Sequence, residues 1–450
     1  MQTRIRNLTF VALAAMMALA AIALAAPSPA PPPSPASPAA AAHPAAKEPA
    51  SAAASAKDWP QWRGPDRNGA VPPGGPAIAD KWPEEGPAKL WQSESVGNGR
   101  PSNGPGGGSA GVGSPVVANG RVYLYANGGL DAFYCFDAAT GATLWKETFA
   151  APSIGASGTI CVAGEKLYCL GGGGTAYCLN AKTGAEIWKR DGVGAQDLAK
   201  FQDGGAGVSS SFLVAEGKAV VLGKVLTALN ADTGQVVWSQ DQIRGEGTKG
   251  ANSPALWKSG GKTYVIQNVM EQGVFCVDLT DGRVLWKGEG GNYSSATVVG
   301  DDMVLRLENA LAAFHLSLTE AKKMWSLSTT QDRASCPIIY KDHVYTVAGS
   351  RAQCVELKTG NVLWEGQPGG TEVSSPVFVN DKMVALCGYS LVLLRAAPER
   401  FELLSKVNDI SNAPCTSPAV ADGKLYLRLK DTVACYDLVN PVPTANPEKK

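Results

Sequence analysis

The chain has 450 residues, 45% of them hydrophobic, with 51 glycines and 40 basic against 40 acidic side chains. That length permits one large repeat domain or two to three ordinary domains. The balanced charge leaves no basic surplus for nucleic acid and no polybasic patch for a membrane surface.

Residues 1–25 have the form of an export signal: Arg4 and Arg6 precede an apolar run from Leu8 to Ala26, and Ala23-Leu24-Ala25 offers a small-x-small cleavage site. The alternative is an uncleaved anchor, because the run approaches spanning length. Residues 26–56 are almost entirely Ala, Pro and Ser, which bury nothing, and a disordered tether is expected there. No Cys precedes Cys135, so an N-terminal lipid-modified Cys is excluded. Residues 57–87 form an N-terminal extension that opens on DWPQWRGPDRNG (Asp58–Gly69). Its Trp59, Trp62 and Arg63 could hold a ligand, but packing of the extension onto the following domain is the expected role.

From Ala88 onward one template recurs. In AYCLNAKTGAEIW (Ala176–Trp188) a small residue stands ten positions before a Trp, an Asp or Asn eight before, and Thr-Gly five and four before. Thr-Gly is turn chemistry, and the flanking alternation has the period of a strand. The glycine slot is filled by Gly141, Gly184, Gly234, Gly282 and Gly360, and the Trp slot by Trp91, Trp145, Trp188, Trp238, Trp286, Trp325 and Trp364, with Leu404 closing a degenerate unit. The period of roughly 40 to 50 residues is that of four-stranded propeller blades. If the units pack radially, each indole can lie over the small residue of a neighbour.

A second block, seen in SPVVANGRVYLYA (Ser114–Ala126) and SPAVADGKLYLRL (Ser417–Leu429), reads as two strands joined by a short turn. Three-strand sets begin near Ser114, Gly158, Ser209, Asn252, Ser294, Ser335, Ser374 and Thr416. The first fourth strand, Ala88–Ser93, precedes them all, and the chain ends without one after Asp437. The count predicts an all-β, eight-bladed β-propeller over residues 88–440, its ring closed by the N-terminal strand, with a tail at 441–450.

Ten Cys in an exported chain would suggest disulfides. However, Cys135, Cys178, Cys276, Cys354 and Cys435 occupy the small-residue slot, where the other blades put Ala228, His315 and Leu394. There Cys acts as a small hydrophobe. Cys161 and Cys169 lie on strands expected to pair and are the pair to test for a bridge. Of the three His, His43 lies in the tether, His315 in a packing slot and His343 in a turn, which gives a His-based metal site or triad no support. Asp137, Asp278, Glu356 and Asp437 are turn residues, and no metal site is expected.

The repeated small-x-Asp-x-x-Thr-Gly-x-x-x-Trp pattern over residues 58–437 resembles the tryptophan-docking motifs of the PQQ-like, quinoprotein dehydrogenase-like β-propellers, a family that includes the BamB outer-membrane assembly factors. The DWPQWRGP opening is similar to that of exported PQQ-like repeat proteins of planctomycete-type bacteria. For the dehydrogenases, the resemblance implies a vicinal Cys-Cys pair, a Trp floor under the quinone, and Glu, Asn and Asp around Ca²⁺. This sequence has no adjacent Cys pair and no CxxCH haem site, and Trp257 is its only blade Trp outside the docking slots.

A functional site is expected on the axial face, in the loops that enter the inner strands. Candidate ligand-binding residues there are Arg100, Asn103, Asp197, Lys200, Asp203, Arg244, Glu246, Asn292, Arg333 and Glu372. Inner strands start with Ser114, Ser210, Ser253, Ser295, Ser335, Ser375 and Ser417, either lining a channel or reflecting crowding at the axis. The expectation is an exported, monomeric, non-catalytic binding or scaffolding propeller of the bacterial cell envelope, with an envelope protein or glycan as partner, no nucleic acid and no cofactor. The alternative is a PQQ- and calcium-dependent oxidoreductase of alcohols or sugars. A third reading is carbohydrate binding through the long loops and the Trp59 and Trp62 cluster.

Overall fold

The computed structural model describes residues 56–96, 113–127, 130–151, 158–194, 209–245, 252–328, 335–348, 350–370, 374–411 and 416–442. The expected leader and nearly all of the tether lie outside the described residues, as does the tail from 443 onward. Among the described residues there is no helix, and so none long and apolar enough to cross a membrane.

Eight four-stranded antiparallel sheets follow one another around an axis. Blades 1 to 7 are each continuous in sequence, with inner strands at Val116–Ala118, Cys161–Ala163, Leu213–Ala215, Ala255–Ser259, Thr297–Val299, Ile338–Tyr340 and Val377–Val379. Blade 8 takes three strands from Ala419–Ala421, Lys424–Arg428 and Val433–Asp437, and its outer strand is Lys89–Gln92 from the start of the domain. The register places Trp91 opposite Cys435. The ring is thus closed by the N-terminal strand, which removes the open edge that a linear array of sheets would leave.

The turn chemistry of the template is realised locally. Asn180 Oδ1 accepts the N–H groups of Lys182 and Thr183, Asp137 Oδ1 does the same for Ala139 and Thr140, and both hold an Asx turn. Gly184 closes its turn at φ 79° with its N–H on Asn180 O. A bulge in the register follows the pair Cys178–Trp188, and each template blade repeats it: Cys135 faces Trp145, Cys276 faces Trp286 and Cys354 faces Trp364. The small residue therefore lies across from the indole of its own blade.

What the indole covers is the turn of the next blade. A Cβ on Gly141 would lie 2.5 Å from the Trp91 ring, and one on Gly234 would lie 2.7 Å from the Trp188 ring. Each indole N–H also donates to one backbone carbonyl there: Trp91 to Ala138 at 3.0 Å, Trp145 to Ala181 at 3.2 Å, Trp188 to Ala231 at 3.1 Å and Trp238 to Leu279 at 2.9 Å. Trp286, Trp325 and Trp364 reach Ser317, Leu357 and Ala397 at 2.8, 2.7 and 2.7 Å. The expected partner, the small residue of the neighbour, is replaced by the neighbour's turn glycine and the carbonyl beside it.

Two blades depart from the expected slots. In blade 5 a shifted bulge pairs Trp325 with Ala313, so Ala313 packs and His315 is exposed beside Asp302. In blade 7 the bulge puts Ser405, not Leu404, at the Trp position, opposite Leu393. Trp82 of the extension fills the gap. It is buried, its backbone N–H donates to Ser405 Oγ at 2.8 Å, and Ala79 N–H takes the Leu438 carbonyl, the counterpart of those used by the indoles.

The nine described cysteines are free and buried. Cys161 pairs across its hairpin with Tyr168, so Cys169 one step on points to the opposite face of the sheet; the two thiols sit in different core clusters and form no bridge. Burial pushes most of these thiols up, to about 12 at Cys135, Cys178, Cys276, Cys387 and Cys435 and to about 11 at Cys354.

Truncating one docking indole, Trp188→Ala, is expected to cost roughly 3–5 kcal/mol in urea-induced unfolding. Gly234→Ala is also expected to lower the midpoint, since its Cβ would strike that ring. A near-neutral Trp188→Ala would mean that docking does not hold the blades. The thiols set a pH dependence. An unfolded Cys ionises near pH 8.5, whereas the buried thiols stay protonated to a much higher pH, so the native state holds more protons through that window. Stability is therefore full below about pH 8.5 and is expected to fall as pH rises to 10, measured as a declining urea midpoint in reducing buffer.

Candidate functional site

The inner strands converge on a belt of hydroxyl groups. Two residues before each inner strand stand Ser114, Thr159, Ser211, Ser253, Ser295, Cys336, Ser375 and Ser417. Ser114 N–H donates to Thr159 Oγ1, Thr159 to Ser211, Ser211 to Ser253 and Ser253 to Ser295, at 2.8–3.1 Å. Cys336 N–H then donates to Ser375 Oγ, Ser375 to Ser417 and Ser417 back to Ser114, each at 3.1 Å. These bonds make seven of the eight blade-to-blade links, each through one small side chain, and the position between blades 5 and 7 holds the belt's single thiol, Cys336. Ser210 and Ser335 do not belong to it. Ser210 Oγ accepts Leu222 N–H inside its own blade and Ser335 Oγ donates to Ser374 O. Strand alternation gives the axis to the next residue in each case.

Beyond the belt, toward the ends of the inner strands, the extension fills the axis. Trp59 pairs with Val117 of blade 1, and Pro60 O accepts Val162 N–H of blade 2. Arg67 donates to Phe212 O beside blade 3 at 2.7 Å, and Arg63 to Thr297 Oγ1 and Pro337 O of blades 5 and 6, both at 2.6 Å. Ala70 bridges Phe378 of blade 7, and Ala56 O accepts Asp422 N–H of blade 8. Residues 56–71 therefore bond to seven of the eight blades. The DWPQWRGP stretch is a plug, and its Trp59 is 2% exposed and closed to ligands. Asp80 adds an exposed staple to Lys382 and Arg395 of blade 7.

The site is expected at the opposite end, where the loops enter the inner strands. Arg100, Asn103, Asp197, Lys200, Asp203, Glu246, Arg333 and Glu372 lie outside the described residues. Arg244 and Asn292 are described; Asn292 lines a cleft of about 380 Å³ with Met270, Glu271, Gln272, Glu289, Tyr293 and Glu308, and Arg244 does not line it but bonds to Gln272. Arg244 has its N–H on Gln272 Oε1 at 3.1 Å and its Nε on Asp241 O at 3.0 Å. Asn292 is buried and acts as a brace. Its Nδ2 donates to Leu307 O at 2.7 Å, and its carbonyl accepts the amides of Asn252 and Asn268. This amide cluster lies in blade 4 and includes Gln267; Asn252 Oδ1 and Gln267 Oε1 are buried without a hydrogen-bond partner. Sequence reasoning missed the cluster because Asn252, Gln267 and Asn268 are scattered singly among strand residues. The rim bears three carboxylates, of which Glu289 is paired with Lys323, so the cleft suits a cationic or hydrogen-bond-donating surface.

Trp257 is no quinone floor. It is 1% exposed inside blade 4, packed at 5.2 Å on Tyr264, with its Nε1 on Asp301 Oδ1 of blade 5 at 2.9 Å. The described cysteines include no adjacent pair, and no group of His, Cys, Asp and Glu among the described residues could hold a metal ion.

Four-stranded blades, docked indoles and a closing N-terminal strand define a PQQ-like eight-bladed β-propeller. The family described as outer membrane protein assembly factor BamB matches residues 84–250, 134–295 and 222–440, and the chain belongs to it. Among solved structures the chain is similar to BamB from Moraxella catarrhalis, with 16% identity, 72% of this chain and 94% of that chain covered, and a TM-score of 0.57. It is also similar to the computationally designed Ika8 protein (12%, 78% and 99% covered, TM-score 0.59) and to quinohemoprotein alcohol dehydrogenase from Comamonas testosteroni (12%, 87% and 82% covered, TM-score 0.55). At these identities the structural likeness carries the fold alone. A search of curated proteins finds no match.

Ser253→Ala, which strips the Ser211 N–H of its buried acceptor, is expected to cost about 1–3 kcal/mol in urea unfolding. Ser239→Ala, an exposed hydroxyl on an outer strand that meets only Thr227 Oγ1 at 3.4 Å, should cost clearly less, and equal losses would count against the belt as the coupling element.

Proposed function

We propose that this propeller is an exported, non-catalytic binding or scaffolding module of the cell envelope that engages a protein partner at its loop face. One observation carries the reading: residues 56–71 fill the axis from one end, bonding to seven blades, which leaves a partner the loop end, where the described residues form an acidic cleft at blades 4 and 5. Membership of the BamB family supports a scaffold, and the Ala/Pro/Ser segment before Ala56 suits a tether between an export signal and the ring. The reading requires no cofactor. The seating of Trp257 between blades counts against the dehydrogenase alternative, and the burial of Trp59 counts against a glycan site built on that residue.

A photo-crosslinking residue at Tyr293, on the cleft rim, is expected to give a defined higher-mass adduct in intact cells. The same residue at exposed Asp66 on the plug is expected to give none. Equal adducts from both positions, or none from Tyr293, would remove the loop face as the docking surface. PQQ with calcium is expected to leave the thermal midpoint of the purified chain unchanged; a saturable, calcium-dependent rise would restore the oxidoreductase.

A further inference from the structure

The plug carries two arginines that are wholly buried among neutral groups. Arg63 is 2% exposed and Arg67 3%. Arg63 donates to Thr297 Oγ1, Pro337 O and Asn68 O, the last at 3.1 Å, and its guanidinium lies 5.8 Å from the Trp62 ring. Arg67 donates to Phe212 O, to Gln61 Oε1 at 3.0 Å and to Ser211 O at 3.4 Å. Every one of these acceptors is uncharged. The Nε–H of each arginine is buried with no hydrogen-bond partner. Burial, only partly offset by Cys161 and reinforced by the nearby charge of Arg63, lowers Arg67 to about 10, so it remains a cation at neutral pH. Burial likewise lifts the Cys161 thiol to about 11 despite Arg67, so that thiol stays neutral and is no counter-ion.

Two like charges held together away from water, without an opposite charge, are strongly unfavourable. Immediately above them runs the belt: Arg67 bonds to the carbonyl of Ser211, and Arg63 lies within electrostatic reach of Cys336. Each belt hydroxyl spends a lone pair on its neighbour's N–H and keeps its own O–H to donate. Donors above and cations below make a setting for negative charge. The belt side chains are no more than 8% exposed, which restricts the occupant to the size of an ion.

We infer that the propeller axis binds a small inorganic anion between the guanidinium groups of Arg63 and Arg67 and the ring of belt hydroxyls. The anion neutralises the plug and locks it to the blades, so its binding contributes to the stability of the closed ring.

The test uses the full chain with chloride as probe. Thermal unfolding is followed as sodium chloride replaces sodium gluconate at constant ionic strength. A saturable rise of a few degrees in the wild type, absent in Arg67→Gln and retained in Cys336→Ser, is expected. An equal midpoint in both salts overturns the proposal, and a chloride response that appears only in Cys336→Ser would make the thiolate the counter-ion and overturn it as well. Should Arg67→Gln fail to fold, wild-type crystals soaked in bromide decide. An anomalous peak within about 3.5 Å of the two Nε atoms supports the site, at the outer limit of a hydrogen bond, and an axis without such a peak overturns it.

Discussion

The bond from an indole N–H to one carbonyl of the next blade is the contact on which the rest of the structure depends. A blade alone is a four-stranded sheet with two apolar faces, and it becomes stable only when both are covered. The indole supplies apolar area and a directional hydrogen bond at once, so it fixes the distance between blades as well as their angle. The turn glycine beneath it has two reasons to be glycine: a positive φ and a ring where a Cβ would stand. At the axis the hydroxyl belt repeats this coupling with the smallest side chains that can still accept a hydrogen bond.

Much of this architecture was legible in the sequence because its determinants are local and periodic. Thr-Gly turns, the Trp spacing and a surplus strand at the start of the domain were enough for blade number and closure. What escaped was non-local or shifted by one. Trp82 could not be read as the stand-in for a missing docking residue, because its partner Ser405 lies in blade 7, far along the chain. Ser211 and Cys336 were displaced by their serine neighbours, since adjacent residues on an extended chain point to opposite sides and composition does not say which side is the axis. His315 was misplaced by a change of turn length in a single blade. Of the candidate site, Asn292 lines the cleft as a buried brace, and Arg244 reaches it only through Gln272. The amide cluster around it has no periodicity by which it could be found.

The plug gives the ring a polarity that the blades lack. Eight similar blades around an axis would present two open ends, and the extension turns one of them into a packed floor built from Trp59, Arg63, Arg67 and Ala70. The two ends of the ring therefore differ in what they offer: one is packed by the extension, and the other receives the loops that enter the inner strands.

Closure by the strand Lys89–Gln92 also imposes an order in time. Ser93 Oγ accepts the N–H of Val433, a partner 340 residues away, so the first strand to be synthesised is the last to be seated. Until then the strand must stay unpaired while seven complete blades form, although the plug before it can already bond to blades 1 to 3. Such long-range pairing slows folding and exposes a free sheet edge at each end of the growing arc. The finished ring is correspondingly hard to open from either end, because releasing the first strand uncovers the last blade, and releasing the last blade unseats the plug.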